Sequence, residues 1–212
     1  MDYGQLRVEI ENALADRTGD ADFALHGTGA RVMSHSHLHP RKGDPWLFPN
    51  REGDWYAFSM PYDTKLPKFV RGLAKRVFPT HPRASDWLLS LPPAGFETPG
   101  HCLPLKGSKG FVDIELKSPT WIDAVSLEHL PARLAYNMTT APREVKVSSW
   151  PPSVEIASFS YDTFGKPSQK FRVKPDSVVK PATQVRLEVL SNHGSREYTC
   201  LYRFKVHGRE AS

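Results

Sequence analysis

From residue 101 onward the chain alternates apolar and polar positions in short runs separated by Pro, Gly, Ser and Asn. "FVDIEL" places Val112, Ile114 and Leu116 on one face, and "DAVSLEHL" does the same with Val125 and Leu127. "EVKV", "KFRV" and "QVRLEVL" repeat the theme, while "CLYRFKV" aligns Cys200, Tyr202, Phe204 and Val206 in one final strand. A side-chain period of two with turn signals between the runs, and almost no helical period, predicts an all-β fold: an antiparallel β-sandwich or jelly roll. Nothing in the pattern reads as alternating strand and helix.

The first residues follow a different rhythm. In "YGQLRVEIENALADRTG", Leu6, Ile10, Ala13 and Leu14 recur at helical spacing and Gly19 supplies a stop, which predicts a short amphipathic N-terminal helix. Isolated helices below about 12–15 residues seldom hold in water, so this one is expected to continue a longer helix or coiled coil upstream.

Residues 38–88 are a third territory, rich in Pro and aromatics, and read as an arm or enlarged lid inserted into the sandwich. Within it "KFVRGLAKRVF" has the pattern of a short basic helix ended by Pro79. A structureless loop of that length is uncommon in a compact domain, which leaves two readings, functional or partner contact and partial disorder.

Composition narrows the frame. A chain of 212 residues fits one domain with a sizeable core, and 39% hydrophobic with 24% charged residues describes a soluble globular protein. No apolar run approaches the roughly 18 residues of a membrane span, and no signal peptide is visible. Any membrane attachment is therefore expected from a part outside this sequence. The net charge of +5, from 28 basic and 23 acidic residues, is a mild excess and does not argue for nucleic acid.

Candidate chemistry is sparse. Cys102 and Cys200 are the two cysteines, and from the residues alone they read either as a disulfide closing a long loop or as two buried thiols. "SHSHLHP" sets His35, His37 and His39 at alternate positions, facing one way on an extended segment, where a zinc site competes with the more ordinary solvated loop. His129 shares a strand face with Val125 and Leu127 and reads as a core histidine with a satisfied ring. Asn137 opens an "NMT" glycosylation sequon, meaningful only in the secretory lumen. There is no nucleophile elbow, P-loop or Rossmann glycine pattern, so no catalytic residues are assigned and no cofactor is required for chemistry.

"ALADRTGDADFAL", "GARVMS", "PGHCLPLKGSKGFVDIELKSPTWIDAVSLEHLPARLAYNMTTAPREVKVSSW", "YDTFGK" and "VRLEVLSNHGSREYTCLYRFKVHG" together closely resemble a SUN domain. The resemblance covers about residues 13–37 and 97–208 and fails across the arm. It implies a β-sandwich facing the perinuclear lumen, carried by an inner-nuclear-membrane protein and trimerised through a coiled coil. Residues 1–17 become the end of that stalk, and 18–212 the SUN domain with its enlarged lid at 38–88.

The resemblance further implies a Cys102–Cys200 disulfide, in keeping with an oxidising lumen. The implied partners are KASH proteins, whose luminal C-terminal peptide adds as a strand under the lid and ends in a captured carboxylate, forming the LINC bridge between nucleus and cytoskeleton. By motif, "LEHL" contributes His129, "TTAP" contributes Thr140 where serine is usual, and "EYTC" contributes Tyr198. A monovalent cation, K+, is implied on backbone carbonyls of Leu91, Ala94, Phe96, His101 and Tyr202, although "LPPAGFETPGHC" departs from the usual wording. His37 stands where some members carry a cysteine bonded to the KASH peptide, so that covalent link is expected to be missing.

Two competing readings remain. Discoidin-like jelly rolls that bind carbohydrate share the architecture, and the arm offers Trp46, Trp55 and Tyr56 for stacking on sugars. A metal hydrolase using the histidine triplet ranks behind both.

Overall fold

The computed structural model of the chain describes residues 20–39, 47–49, 55–57, 88–89, 102–150, 153–174, 177–178 and 180–211, with 47–49 and 55–57 described by backbone alone. The predicted helix at 4–17 and the basic "KFVRGLAKRVF" stretch lie outside these residues.

Among the described residues eleven strands are defined: β1 (Arg31–His35), β2 (Leu47–Pro49), β3 (Trp55–Ala57), β4 (Leu103–Lys106), β5 (Gly110–Glu128), β6 (Glu144–Trp150), β7 (Val154–Ser160), β8 (Ser168–Arg172), β9 (Ala182–Val189), β10 (Tyr198–Leu201) and β11 (Arg203–Glu210). The long β5 is the spine. Its first half pairs with β1 and β9, its second half with β11 and β8, and β6 and β7 extend the sheet beyond β9. Every pairing is antiparallel. β4 and β10 form a second, small sheet, and β2 and β3 form a hairpin within the arm.

The two main sheets share one core. Leu103 and Leu105 of β4 and Leu201 of β10 join Val112, Ile114, Val125, Leu127, Leu187 and Phe204 in a single cluster of buried apolar side chains, which makes the molecule the β-sandwich that the alternation predicts. Leu88 and Leu89 are fully buried in it, and Leu38 bridges Leu105, so both ends of the span read as arm belong to the sandwich body.

The final run is where alternation misled. "CLYRFKV" is two strands: the chain breaks at Tyr202, β10 pairing with β4 in the small sheet and β11 with β5 in the large one. β5 likewise departs from one-sided burial, because residues 124–127 are buried on both faces. The second face is covered by the segment 20–24. Phe23 donates its N–H to the Val206 carbonyl, and Asp22 accepts from the Ala24 and Val206 N–H groups and from Arg203 at 3.2 Å. His207 Nδ1 bonds the Ala21 carbonyl at 3.1 Å, which leaves Nε2 to accept from Ser126 Oγ at 2.8 Å. That serine and histidine are 0% and 3% exposed, so the pair is structural. Burial pushes the His207 pKa down, against the pull of the Ala21 carbonyl and of Asp22. Gly208 marks a bulge where a Cβ would sit 2.0 Å from the Trp121 carbonyl oxygen, so the close strand approach requires glycine.

Candidate functional site

His129 follows the last residue of β5, held by its N–H to the Pro167 carbonyl at 3.0 Å. It is 5% exposed, and its ring meets Tyr202 edge-on at 4.7 Å between centroids, with Tyr161 at 6.3 Å. Nδ1 lies 3.2 Å from the Leu130 carbonyl and so carries the proton of the neutral ring. Nε2 is buried and has no partner among the described residues. The expected satisfied core histidine is thus only half satisfied. Burial drives its pKa down, the Leu130 carbonyl opposes this, and nearby His193 adds to the depression. The resting ring is neutral with an open Nε2.

Thr140 ends the 3-10 turn Met138–Thr140. Asn137 caps this turn, its Oδ1 accepting from the N–H and hydroxyl of Thr139 at 2.9 and 2.8 Å. Thr140 Oγ1 donates to the Asn137 carbonyl at 2.9 Å, so its proton is committed within the turn and must swing to serve a ligand. Asn137, the sequon residue, is exposed.

Tyr198 opens β10 and is half-buried. Its N–H approaches Ser195 Oγ at 3.5 Å and its carbonyl accepts weakly from Asn192 at 3.4 Å, whereas its phenol hydroxyl has no partner among the described residues. The ring is stacked on His39 at 5.0 Å and 22°.

What joins these three positions is a turn that the motif reading passed over. Residues 192–195 donate to the 3-10 turn through His193 N–H to Ala141 O at 3.0 Å and Ser195 N–H to Thr139 O at 3.1 Å. Asn192 Nδ2 donates to Ser195 O and to Thr199 Oγ1, both at 2.9 Å, and Oδ1 accepts from Gly194 N–H at 3.0 Å. His193 Nε2 reaches the carbonyl of Tyr161 at 2.9 Å, the residue whose ring lies 6.3 Å from that of His129. Gly194 sits at φ +124°, open to glycine and strained for other residues. The turn thus contacts the Thr140 segment directly, holds the strand of Tyr198, and acts electrostatically on His129. Asn192, His193 and Tyr161 are the contributors missed; the "SNHG" turn signal was the available clue.

Cys102 and Cys200 are disulfide-bonded with Cα atoms 5.4 Å apart, which settles the two readings left open. The bridge staples β10 to the residue that enters β4, two positions from Tyr198. The histidine triplet, in contrast, is dispersed. His35 ends β1 on the large sheet, and the chain then crosses to the small sheet, where Lys106 N–H donates to His37 O and His39 N–H to Pro104 O, both at 2.8 Å. Among the described residues no group of three His, Cys, Asp or Glu side chains could hold a metal, so the zinc reading fails there. Of the carbonyls assigned to a cation, Leu91, Ala94, Phe96 and His101 lie outside the described residues, and Tyr202 marks the break between β10 and β11. The side chains of Trp46, Trp55 and Tyr56 also lie outside.

The fold is a discoidin-like β-sandwich. It is similar to the family 32 carbohydrate-binding module of Streptococcus pneumoniae EndoD (TM-score 0.53, 11% identity, 89% of this chain and 100% of that one). A putative chitobiase fragment from Bacteroides thetaiotaomicron is likewise similar (TM-score 0.50, 10% identity, 91% and 94%). At such identities the likeness is one of fold alone. Residues 89–210 match the Sad1/UNC-like C-terminal family, and the chain belongs to it: this is a SUN domain. It is 36% identical over 210 residues to SUN domain-containing protein 2 of Arabidopsis thaliana, covering 95% of this chain and 40% of that protein. It is 34% identical over 203 residues to SUN domain-containing protein 2 of Mus musculus (92% and 24%). To the nuclear migration and anchoring protein unc-84 of Caenorhabditis elegans it is 30% identical over 205 residues (92% and 16%). The chain therefore spans less than half the length of these relatives.

Proposed function

We propose that this SUN domain is a non-enzymatic receptor that captures the C-terminal tail of a KASH protein in the perinuclear lumen, linking the inner and outer nuclear membranes as part of a LINC complex. His129, Thr140 and Tyr198 receive the tail's carboxylate. The observation that carries this reading is the arrangement around the 192–195 turn: a buried His129 Nε2 and a Tyr198 hydroxyl, neither with a partner among the described residues, and a Thr140 hydroxyl one rotation from release. A carboxylate is an acceptor with about four lone-pair sites, and three donors converging on it recognise a chain end where an internal peptide offers no charge.

The donors must first be freed. His129 has to place a proton on Nε2, either by moving it from Nδ1 with loss of the Leu130 bond or by taking a second proton. An arriving anion favours the second route.

Residues 1–17 form the end of a coiled-coil stalk in this reading, residues 18–212 are the SUN domain, and the receptor works as a homo-trimer assembled through that stalk and the lid. A K+ ion on the carbonyls of Leu91, Ala94, Phe96, His101 and Tyr202 belongs to the same proposal. The functional test is titration of a synthetic KASH-tail peptide into wild type, His129→Ala, Thr140→Ala and Tyr198→Phe, with the mass in solution recorded. Hydrogen bonds to a charged group are worth about 1.5–3 kcal/mol, so each variant is expected to weaken binding roughly ten- to hundredfold. Affinity unchanged in all three refutes the assignment of the site.

A further inference from the structure

The stack of His39 on Tyr198 crosses a strand. Leu38 bridges Leu105, and the flanking bonds from His39 N–H to Pro104 O and from Lys106 N–H to His37 O make residues 37–39 a third strand of the small sheet, on the far side of β4 from β10. In this register His37, Lys106 and Tyr198 form one row and His39, Pro104 and Cys200 the next, all on one face. Leu38, Leu105, Thr199 and Leu201 occupy the opposite, buried face. The imidazole of His39 therefore reaches diagonally over the strand between, to lie at 5.0 Å and 22° against the phenol ring.

Tyr198 needs such a support. Its hydroxyl has no partner among the described residues and the side chain is only half-buried, so neither a hydrogen bond nor full burial limits where the hydroxyl points. A planar ring on one face removes part of that freedom, and donors held in place before a ligand arrives lose less entropy on binding. His39 itself is held by its backbone bond to β4 and by the buried side chain of its neighbour Leu38.

We propose that His39 is a positioning residue for the chain-end reader: it acts through the Tyr198 ring to aim the phenol hydroxyl at the ligand carboxylate, and so sets the preference for a free C-terminus. The inference rests on the carboxylate reading of the site and adds a residue to it. Because the support is a ring face, phenylalanine serves at this position and alanine does not.

The test titrates one synthetic KASH-tail peptide, as free acid and as C-terminal amide, into wild type, His39→Ala, His39→Phe, Tyr198→Phe and the His39→Ala/Tyr198→Phe double variant. From the size of aromatic pair interactions, His39→Ala is expected to weaken the free acid about three- to tenfold. It should leave the amide unchanged, His39→Phe should restore the acid, and His39→Ala should have no further effect in the Tyr198→Phe background. A His39→Ala loss that falls equally on acid and amide, or persists without the Tyr198 hydroxyl, overturns the inference. So does unchanged binding by His39→Ala in a chain whose wild type prefers the acid, and that result leaves the carboxylate reading intact. A wild type that binds both peptides equally overturns that reading and this inference with it.

Discussion

Asn192 Nδ2 donates to Thr199 Oγ1 at 2.9 Å, and Thr199 donates in turn to the Gly107 carbonyl at 2.9 Å. This short chain of buried bonds fixes the turn carrying His193 to the strand carrying Tyr198. Truncating Asn192 to Ala leaves Ser195 O and Gly194 N–H without their side-chain partner, at a cost of about 1–3 kcal/mol. Urea unfolding of Asn192→Ala should show that loss, together with weakened binding of a KASH-tail peptide; full stability and full affinity would show that the turn does not organise the site.

The disulfide closes a loop with a sequence separation of 98 residues. In the chain-entropy account such a closure stabilises by about 4–5 kcal/mol. The Cys102→Ser/Cys200→Ser double variant should lose stability of that order in denaturant titration, and reductant should lower the wild-type midpoint while leaving the variant unmoved.

Asp22 and Arg203 form an ion pair with side chains only 4% and 5% exposed. Burial raises the Asp22 pKa, while the Ala24 and Val206 N–H groups and Arg203 pull it down. Asp22→Ala removes the acceptor of the Ala24, Val206 and Arg203 bonds and one member of a buried ion pair, and is expected to cost about 3–5 kcal/mol. Faster hydrogen exchange at the Phe23 and Val206 amides is the accompanying signature, because the segment 20–24 loses its anchor to β11.

Much of this architecture was legible in the sequence, and the failures have definite causes. Alternation located β5, β6, β9 and β11 because one face of each is apolar, and Val112, Ile114 and Leu116 are buried as the period demands. Alternation could not reveal the break at Tyr202, since a strand that changes sheets keeps its period of two. Nor could it show that Ser126 and His207 are buried, because their cover comes from the segment 20–24, remote in sequence. The histidine triplet looked like a cluster only while the segment was taken as one strand; the crossing after His35 separates it. Of the candidate site, His129, Thr140 and Tyr198 came by resemblance to a family, whereas the "SNHG" signal shows a turn but not what it holds, because His193 bonds Ala141 and Tyr161, remote in sequence.

Stability should fall on mild acidification. His129 and His207 both have folded pKa values lowered by burial from the ordinary 6.5, so the unfolded chain binds more protons between the two values. Their contribution is complete above pH 6.5 and declines as pH drops through that window toward the folded values. Asp22 acts in the opposite sense, its raised pKa favouring the folded state as pH falls through a window that opens above 3.8. Denaturant midpoints from pH 8 to 5 should therefore decrease, and His207→Gln should flatten the curve.

Ligand binding should carry the opposite dependence. His129 is neutral in the free protein, and a carboxylate at Nε2 raises its pKa, so binding takes up a proton. Affinity for a free-acid tail should rise as pH falls from 8 to 6, and His129→Gln should abolish the slope. A wild-type affinity independent of pH would mean that His129 donates as the neutral Nε2–H tautomer.

The central claim is that this SUN domain reads a chain end. Calorimetric titration of a KASH-tail peptide as free acid, and of the same peptide lengthened by one residue, tests it most directly. The account predicts strong binding of the first and a loss of about a hundredfold or more for the second, since lengthening withdraws the charge on which His129, Thr140 and Tyr198 are proposed to act. Equal affinity for the two peptides would contradict it.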